Sequence, residues 1–283
     1  MYLRKKTVLI LLLSLVGLLF GVNFVFGLFV KEEERMDDVD CIVALRRLST
    51  ALVDYALKNE GRYPKELIGL GGRFACEPLS FRCPLGGEAY SYHPIVSLDS
   101  PPDVPLLWCK AEHGSERTKY AGRSHLVVYS DLSLARVPAS NLAIEKRGVE
   151  EYERLLEGDS NERLLRLRDY VKERRNPLWI RRLALWRMGE ERREDAAVLM
   201  EPFLNEGGLT FEAAVALAKS KSSEGARELV ESLKSDDYFV RRRALAALKY
   251  LTEEDFGYSA EIGGESQQTA LKELEEWAKK RPK

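Results

Sequence analysis

Thr7 to Val30 run for 24 residues without a charged side chain, and no other stretch constrains the chain as much. At about 1.5 Å per helical residue this run is long enough to cross a hydrocarbon core of roughly 30 Å. Arg4, Lys5 and Lys6 precede it, whereas Lys31 to Asp38 follow with an acidic excess. Positive charge is retained on the cytoplasmic side. The pattern therefore predicts a cytoplasmic tail over 1–6, a single transmembrane anchor over 7–30 and an extracytoplasmic remainder. A cleaved signal peptide would carry an apolar region of about 7–15 residues ending in small side chains; Val22 to Val30 presents bulky ones.

Composition places the rest among ordinary folded chains. Charged residues make up 31% and the net charge is −1, so no basic field points to nucleic acid. The four cysteines are Cys41, Cys76, Cys83 and Cys109. Outside the cytoplasm they are expected to form structural disulfides, with three pairings open. All lie before residue 110, so bridging would staple only a first domain.

That domain is expected over 31–140. Val39, Val43, Leu45, Leu48, Leu52, Tyr55 and Leu57 recur at helical spacing and predict an amphipathic helix. It should end near Asn59, ahead of Glu60-Gly61 and Pro64, with a further helical turn over Glu66 to Leu70. Beyond it, Ala89 to His93, Val104 to Cys109, Leu126 to Tyr129 and Leu134 to Val137 read as short strands. A turn at Ser130 to Ser133 joins the last two. A helix leading into a small antiparallel sheet is an α+β arrangement.

These residues carry a resemblance. The apolar run, Cys41 to Leu52, Tyr55 and Gly61-Arg62-Tyr63-Pro64 resemble the spine helix of type IV pilin-like and type II secretion pseudopilin-like proteins. Phe81-Arg82-Cys83-Pro84, Tyr90-Ser91-Tyr92, Trp108, Glu112-His113-Gly114 and His125 to Asp131 are similar to the sheet of the bacterial pilin-like subgroup. The resemblance covers about 7–140 and implies a long N-terminal helix plus a small antiparallel sheet, in a bacterial inner (cytoplasmic) membrane protein with its N-terminus inside. Two features depart from it. Lys6-Thr7-Val8-Leu9-Ile10 lacks the glycine and the buried glutamate of the processing signal, which argues against prepilin cleavage and filament assembly. Asp131-Leu132 also replaces the usual aspartate-glycine of the hairpin.

After Pro138 to Asn141 the strand and cysteine patterns stop. Residues 141–160 read as a linker that already carries a helical pattern over Val149 to Glu157, and 161–283 as a helical array. Helices are expected over Asn161 to Arg174, Pro177 to Glu190, Arg193 to Leu204, Thr210 to Lys219, Ser223 to Ser235, Tyr238 to Tyr250 and Gln267 to Lys280. Trp179 to Leu185 aligns with Phe239 to Leu245, and Ala184, Ala214 and Ala244 fall at thirty-residue intervals. A period near thirty with two helices per unit predicts an α-solenoid. Ala226 to Leu248 resembles HEAT-like repeats of the short bacterial type, over about 150–283, which implies an all-α solenoid with Gln267 to Lys280 as its cap.

For chemistry, His93, His113 and His125 with Glu112 or Asp131 offer zinc-ligand types, without the spacing of a compact ligand motif. A metal site is accordingly not expected. Nor are a catalytic residue, a bound cofactor or a small-molecule substrate, since neither a nucleophile elbow nor a phosphate loop occurs. Cys76 and Cys83 stand too far apart for a Cys-x-x-Cys redox pair. Arg181, Arg182, Arg241 and Arg242 are candidates for a partner-binding surface. The expected function is a membrane-anchored, extracytoplasmic, non-enzymatic scaffold that holds a protein partner through its helical repeats, in a secretion or envelope assembly. The alternatives are an envelope metal-dependent hydrolase using His113 and His125, and a non-processed minor pseudopilin.

Overall fold

The computed structural model describes residues 39–70, 81–94, 96–113, 124–262 and 267–281. Its first helix, α1, is seen from residue 39 to residue 58. Cys41, Leu45, Leu48, Leu52 and Ala56 recur every three to four positions and all are fully buried, the stripe expected of a helix laid on a core. Val39, Val43 and Leu57, expected on the same face, lie exposed instead. The helix stops where Glu60 and Gly61 take φ of 56° and 80°, and the Gly61 amide caps the Ala56 carbonyl at 2.8 Å. A 3-10 turn, Leu67–Leu70, follows.

Four strands then form an antiparallel sheet in sequence order: β1 (Ser91–Tyr92), β2 (Pro105–Trp108), β3 (Ser124–Tyr129) and β4 (Leu134–Pro138). Such a meander needs only local connections. The strand pairing β3–β4 runs from Ser124 opposite Pro138 to Val128 opposite Leu134. Leu132 closes the turn with φ of 66°, the left-handed conformation that a glycine adopts without penalty. Alternation along β3 feeds two layers. Leu126 and Val128 join the core beneath α1, while Val127 packs with Trp108, Val137 and Leu142.

Helices follow: α2 (Ala139–Leu155), α3 (Ser160–Lys172), α4 (Leu178–Glu190), α5 (Ala197–Met200), α6 (Thr210–Lys219), α7 (Ala226–Ser232), α8 (Tyr238–Thr252) and α9 (Gln268–Lys279). Asp159 caps α3 by accepting from the Glu162 amide, and Asp237 caps α8 by accepting from the Phe239 amide. The single helix expected over Arg193 to Leu204 is broken into 3-10, α and 3-10 turns. Pro202 stands inside the last of these, where it cannot donate an intrahelical hydrogen bond. Ala184, Ala214 and Ala244 are each fully buried, and α6 packs against both α4 and α8.

Three expectations need correction. The fold is a mixed one, mostly helical with a small four-stranded sheet, rather than a long-helix pilin-like domain followed by a separate solenoid. No long N-terminal helix is seen among the described residues, and one apolar core runs from Cys41 through the sheet to Leu217 in α6. Second, the anchor over 7–30 and the tail over 1–6 lie outside the described residues. Among those described, no helix is long and apolar enough to cross a membrane. The described residues thus give the expected single-pass inner-membrane anchor no support. Third, much of the stretch expected as a linker over 141–160 is packed helix, with Tyr152 of α2 fully buried.

Candidate metal centre

Three segments deliver four soft or borderline ligands to one point. Cys41 comes from the buried stripe of α1. Cys83 sits at the start of a tight turn in which the Cys83 amide donates to the Glu88 carbonyl at 2.9 Å and the Gly87 amide donates back to the Cys83 carbonyl at 2.9 Å. Gly87 makes this possible with φ of 64°. Cys109 leaves the end of β2, its amide held by the Leu126 carbonyl at 2.9 Å. His113 pairs with the first residue of β3. The His113 amide donates to the Ser124 carbonyl, and the Ser124 hydroxyl donates to the His113 carbonyl, both at 2.6 Å.

The ligand atoms of Cys41, Cys83, Cys109 and His113 all lie within 4.8 Å of one another. The Cys83 and Cys41 sulfurs are 3.8 Å apart. His113 Nε2 stands 3.8 Å from Cys83 Sγ and 3.1 Å from Cys109 Sγ. A tetrahedral Zn²⁺ with bonds of about 2.3 Å to sulfur and about 2.0 Å to nitrogen requires edges of roughly 3.8 Å between sulfurs and roughly 3.5 Å from sulfur to nitrogen. The cluster thus has the size of a zinc tetrahedron. All four side chains are at most 1% exposed.

Burial makes this arrangement costly for bare thiols. Cys41 is lowered to about 4, first by the hydrogen bond from Cys109, with His113 and Tyr90 adding to it against the burial. Cys109 is driven strongly upward by its hydrogen bond to that same Cys41 and by burial. One thiolate therefore forms while its neighbour keeps a proton. A divalent ion resolves this by holding several thiolates at once, and thiolate sulfur with imidazole nitrogen is the donor set that favours zinc.

The surroundings fit the same role. The Tyr90 hydroxyl lies 3.5 Å from Cys41 Sγ. His125 does not reach the cluster as a ligand; its Nδ1 is 3.0 Å from the Cys109 carbonyl, where it orients the segment that carries a ligand. His93 lies apart, buried, with Nε2 3.8 Å from a Glu153 oxygen. Of the three histidines weighed from the sequence, the structure brings only His113 to the cluster, and among the described residues no carboxylate joins it. Of the four cysteines expected in disulfides, Cys41, Cys83 and Cys109 are free thiols, and Cys76 lies outside the described residues. The overlooked signal was Cys109-x-x-x-His113, a spacing that fits two ligands from one short loop.

The four arginines expected to form a partner-binding surface are internal ties. Arg181 and Arg241 are buried. Arg181 donates to the Val171 carbonyl at 2.7 Å and pairs with Glu206 at 2.5 Å. Arg241 donates to the carbonyls of Ala260, Ser235 and Asp236. Arg182 and Arg242 reach back to the sheet region, to Asp103 at 2.7 Å and Asp99 at 3.4 Å. Their guanidiniums are spent on fixing turns and loops, as forked donors are suited to do.

No family model, no curated protein and no solved structure matches the chain. The pilin-like and HEAT-like resemblances rest on the quoted residues alone.

Proposed function

We propose that this protein is a non-catalytic binding scaffold whose sheet region is stapled by one structural Zn²⁺ on Cys41, Cys83, Cys109 and His113. The observation that carries this reading is the convergence of those four buried side chains from three separate segments. Catalytic zinc sites keep one position open for water or substrate, whereas structural sites use four protein ligands. Here four protein ligands enclose the point and none is reached by solvent. The metal would tie α1 to the turn at Cys83 and to the end of β2, joining elements up to 72 positions apart in the chain. A scaffold role for the helices is supported by the stacking of α4, α6 and α8, an arrangement in which repeated helices build an extended surface rather than a catalytic centre.

The test is metal analysis of the purified full chain, paired with alkylation mass spectrometry without reduction. The expected result is about one zinc per chain, with visible absorption typical of tetrahedral thiolate coordination after replacement by Co²⁺. Cys83→Ser and Cys109→Ser should each lose the metal. A chain with no bound metal and a Cys41–Cys83 or Cys83–Cys109 disulfide would overturn the staple. Turnover of an ester or peptide that disappears with His113→Ala would replace it with the hydrolase reading.

A further inference from the structure

A cleft of about 590 Å3 opens between the sheet region and the helices, away from the metal cluster. Its near wall is formed by segments around Tyr63 and Val96, and its far wall by α4, α6 and α8. The two walls are held at a fixed separation. Arg243 of α8 donates to the Asp99 carbonyl at 3.0 Å, and its other nitrogens grip the buried Glu212 carboxylate of α6. The volume falls within the roughly 300–1,000 Å3 of small-molecule sites.

The charge and donor inventory of this cleft is unbalanced. Six basic side chains line it against three carboxylates. Arg62, Arg187, Lys219 and Arg243 are paired with Glu60, Glu191, Glu190 and Glu212, which leaves Arg192 as the guanidinium without an ion pair among the described residues. It lies over the Tyr250 ring, 5.0 Å from the centroid. Trp186 is 4% exposed, yet its indole Nε1 finds no acceptor among the described residues, and neither does the buried Nε of its neighbour Arg187. Buried donors of this kind are normally satisfied. Lys219, 5.2 Å from the centre of the Trp186 ring, adds positive charge and is partly offset by Glu190.

We propose that this cleft binds an anionic ligand through a carboxylate or phosphate group, with Arg192 as the recognising guanidinium and the Trp186 indole as a neutral donor. Both anions are acceptor-only groups, and guanidinium forks match either of them. The site is separate from the zinc staple, so either proposal can fail without the other.

Two probes separate the sources of the anion: inorganic pyrophosphate and a tetraglutamate peptide. Each is titrated against the full chain with tryptophan fluorescence and calorimetry as readouts. The expected result is saturable one-to-one binding of at least one probe. Arg192→Glu should weaken it at least tenfold and Trp186→Phe about three- to tenfold, consistent with loss of charge-assisted and neutral hydrogen bonds respectively. Saturation by pyrophosphate alone identifies a phosphate site, and by the peptide alone a carboxylate site. Arg192 is exposed, so its replacement should leave the circular dichroism spectrum and zinc content unchanged. The exposed Arg175, outside the cleft, is the control. Absence of saturation by either probe up to about 10 mM, or equal weakening by Arg175→Glu, would overturn the proposal.

Discussion

The guanidinium of Arg243 and the carboxylate of Glu212 meet in a two-point contact with both side chains 4% exposed, the Nη1 donor standing 2.8 Å from Oε1. This pair joins α8 to α6 and also carries the Asp99 loop of the sheet region. A buried ion pair contributes little net stability compared with a well-packed apolar pair, because both charges lose their hydration. Removing one partner is different, since it strands the other charge. Arg243→Met should therefore destabilise the chain by about 3–5 kcal/mol, while Arg243→Met with Glu212→Leu should recover most of the loss. Urea unfolding of the wild type, both single variants and the double variant completes the cycle. A double variant as unstable as Arg243→Met would show that the pair does more than neutralise itself.

Tyr90 tests the environment of the metal cluster without removing a ligand. Its hydroxyl is directed at Cys41 Sγ from 3.5 Å. Tyr90→Phe should keep the fold and the metal stoichiometry but weaken metal affinity by roughly 10-fold or more, the usual scale for a group that orients a ligand. Competition with a chromophoric chelator measures this. Unchanged affinity would mean that the hydroxyl does not influence the sulfur.

His93 should leave a mark on the acid side of the stability curve. Burial lowers it to about 4, and both ring nitrogens lack a hydrogen-bond partner among the described residues. An unfolded histidine titrates near 6.5, so between these values the unfolded chain binds the extra proton. Stability is therefore complete above pH about 6.5 and declines as pH falls toward 4, by roughly 3 kcal/mol in all. His93→Leu should flatten that part of the slope. Comparing the two chains from pH 4 to 7 isolates this effect, because protonation of the metal ligands is common to both.

Gly189 marks the closest crossing of α4 and α6. A β-carbon placed there would stand 2.6 Å from the α-carbon of Ala216. Alanine is the better helix former by about 1 kcal/mol, yet the overlap is with backbone, which cannot swing aside. Gly189→Ala should thus lower stability by about 1–3 kcal/mol despite its propensity. Adding Ala216→Gly should give little relief, as the nearest atom remains in place. Thermal denaturation of the three variants checks the order.

Much of this architecture was legible in local pattern. Thr210 to Lys219 read as a helix and is one with the same limits. The four strand segments all pair, within a residue or two of their expected ends. Those signals are short-range: apolar period, turn residues and caps. The relations between distant segments were not legible. Nothing in the spacing of Cys41 and Cys83 shows that a helix and a turn bring their sulfurs to 3.8 Å. The arginine doublets read as a partner-binding surface because the sequence does not reveal that Arg181 and Arg241 point inward to carbonyls. The core shared by the sheet and the helices up to α6 was hidden for the same reason, since Pro138 to Asn141 resembles a boundary locally while Tyr152 beyond it is buried.

The latch on Asp99 also orders events in time. The loop that bears it leaves the ribosome 144 residues before the Arg243 side chain that fixes its carbonyl. At about 5–20 residues per second, that interval lasts roughly 7 to 30 seconds. All four metal ligands have been translated well before it ends. The nascent chain can take up the proposed ion while α8, the last part of the cleft's far wall, is still to come. Ligand capture then belongs to the closing phase of synthesis, after α8 has arrived.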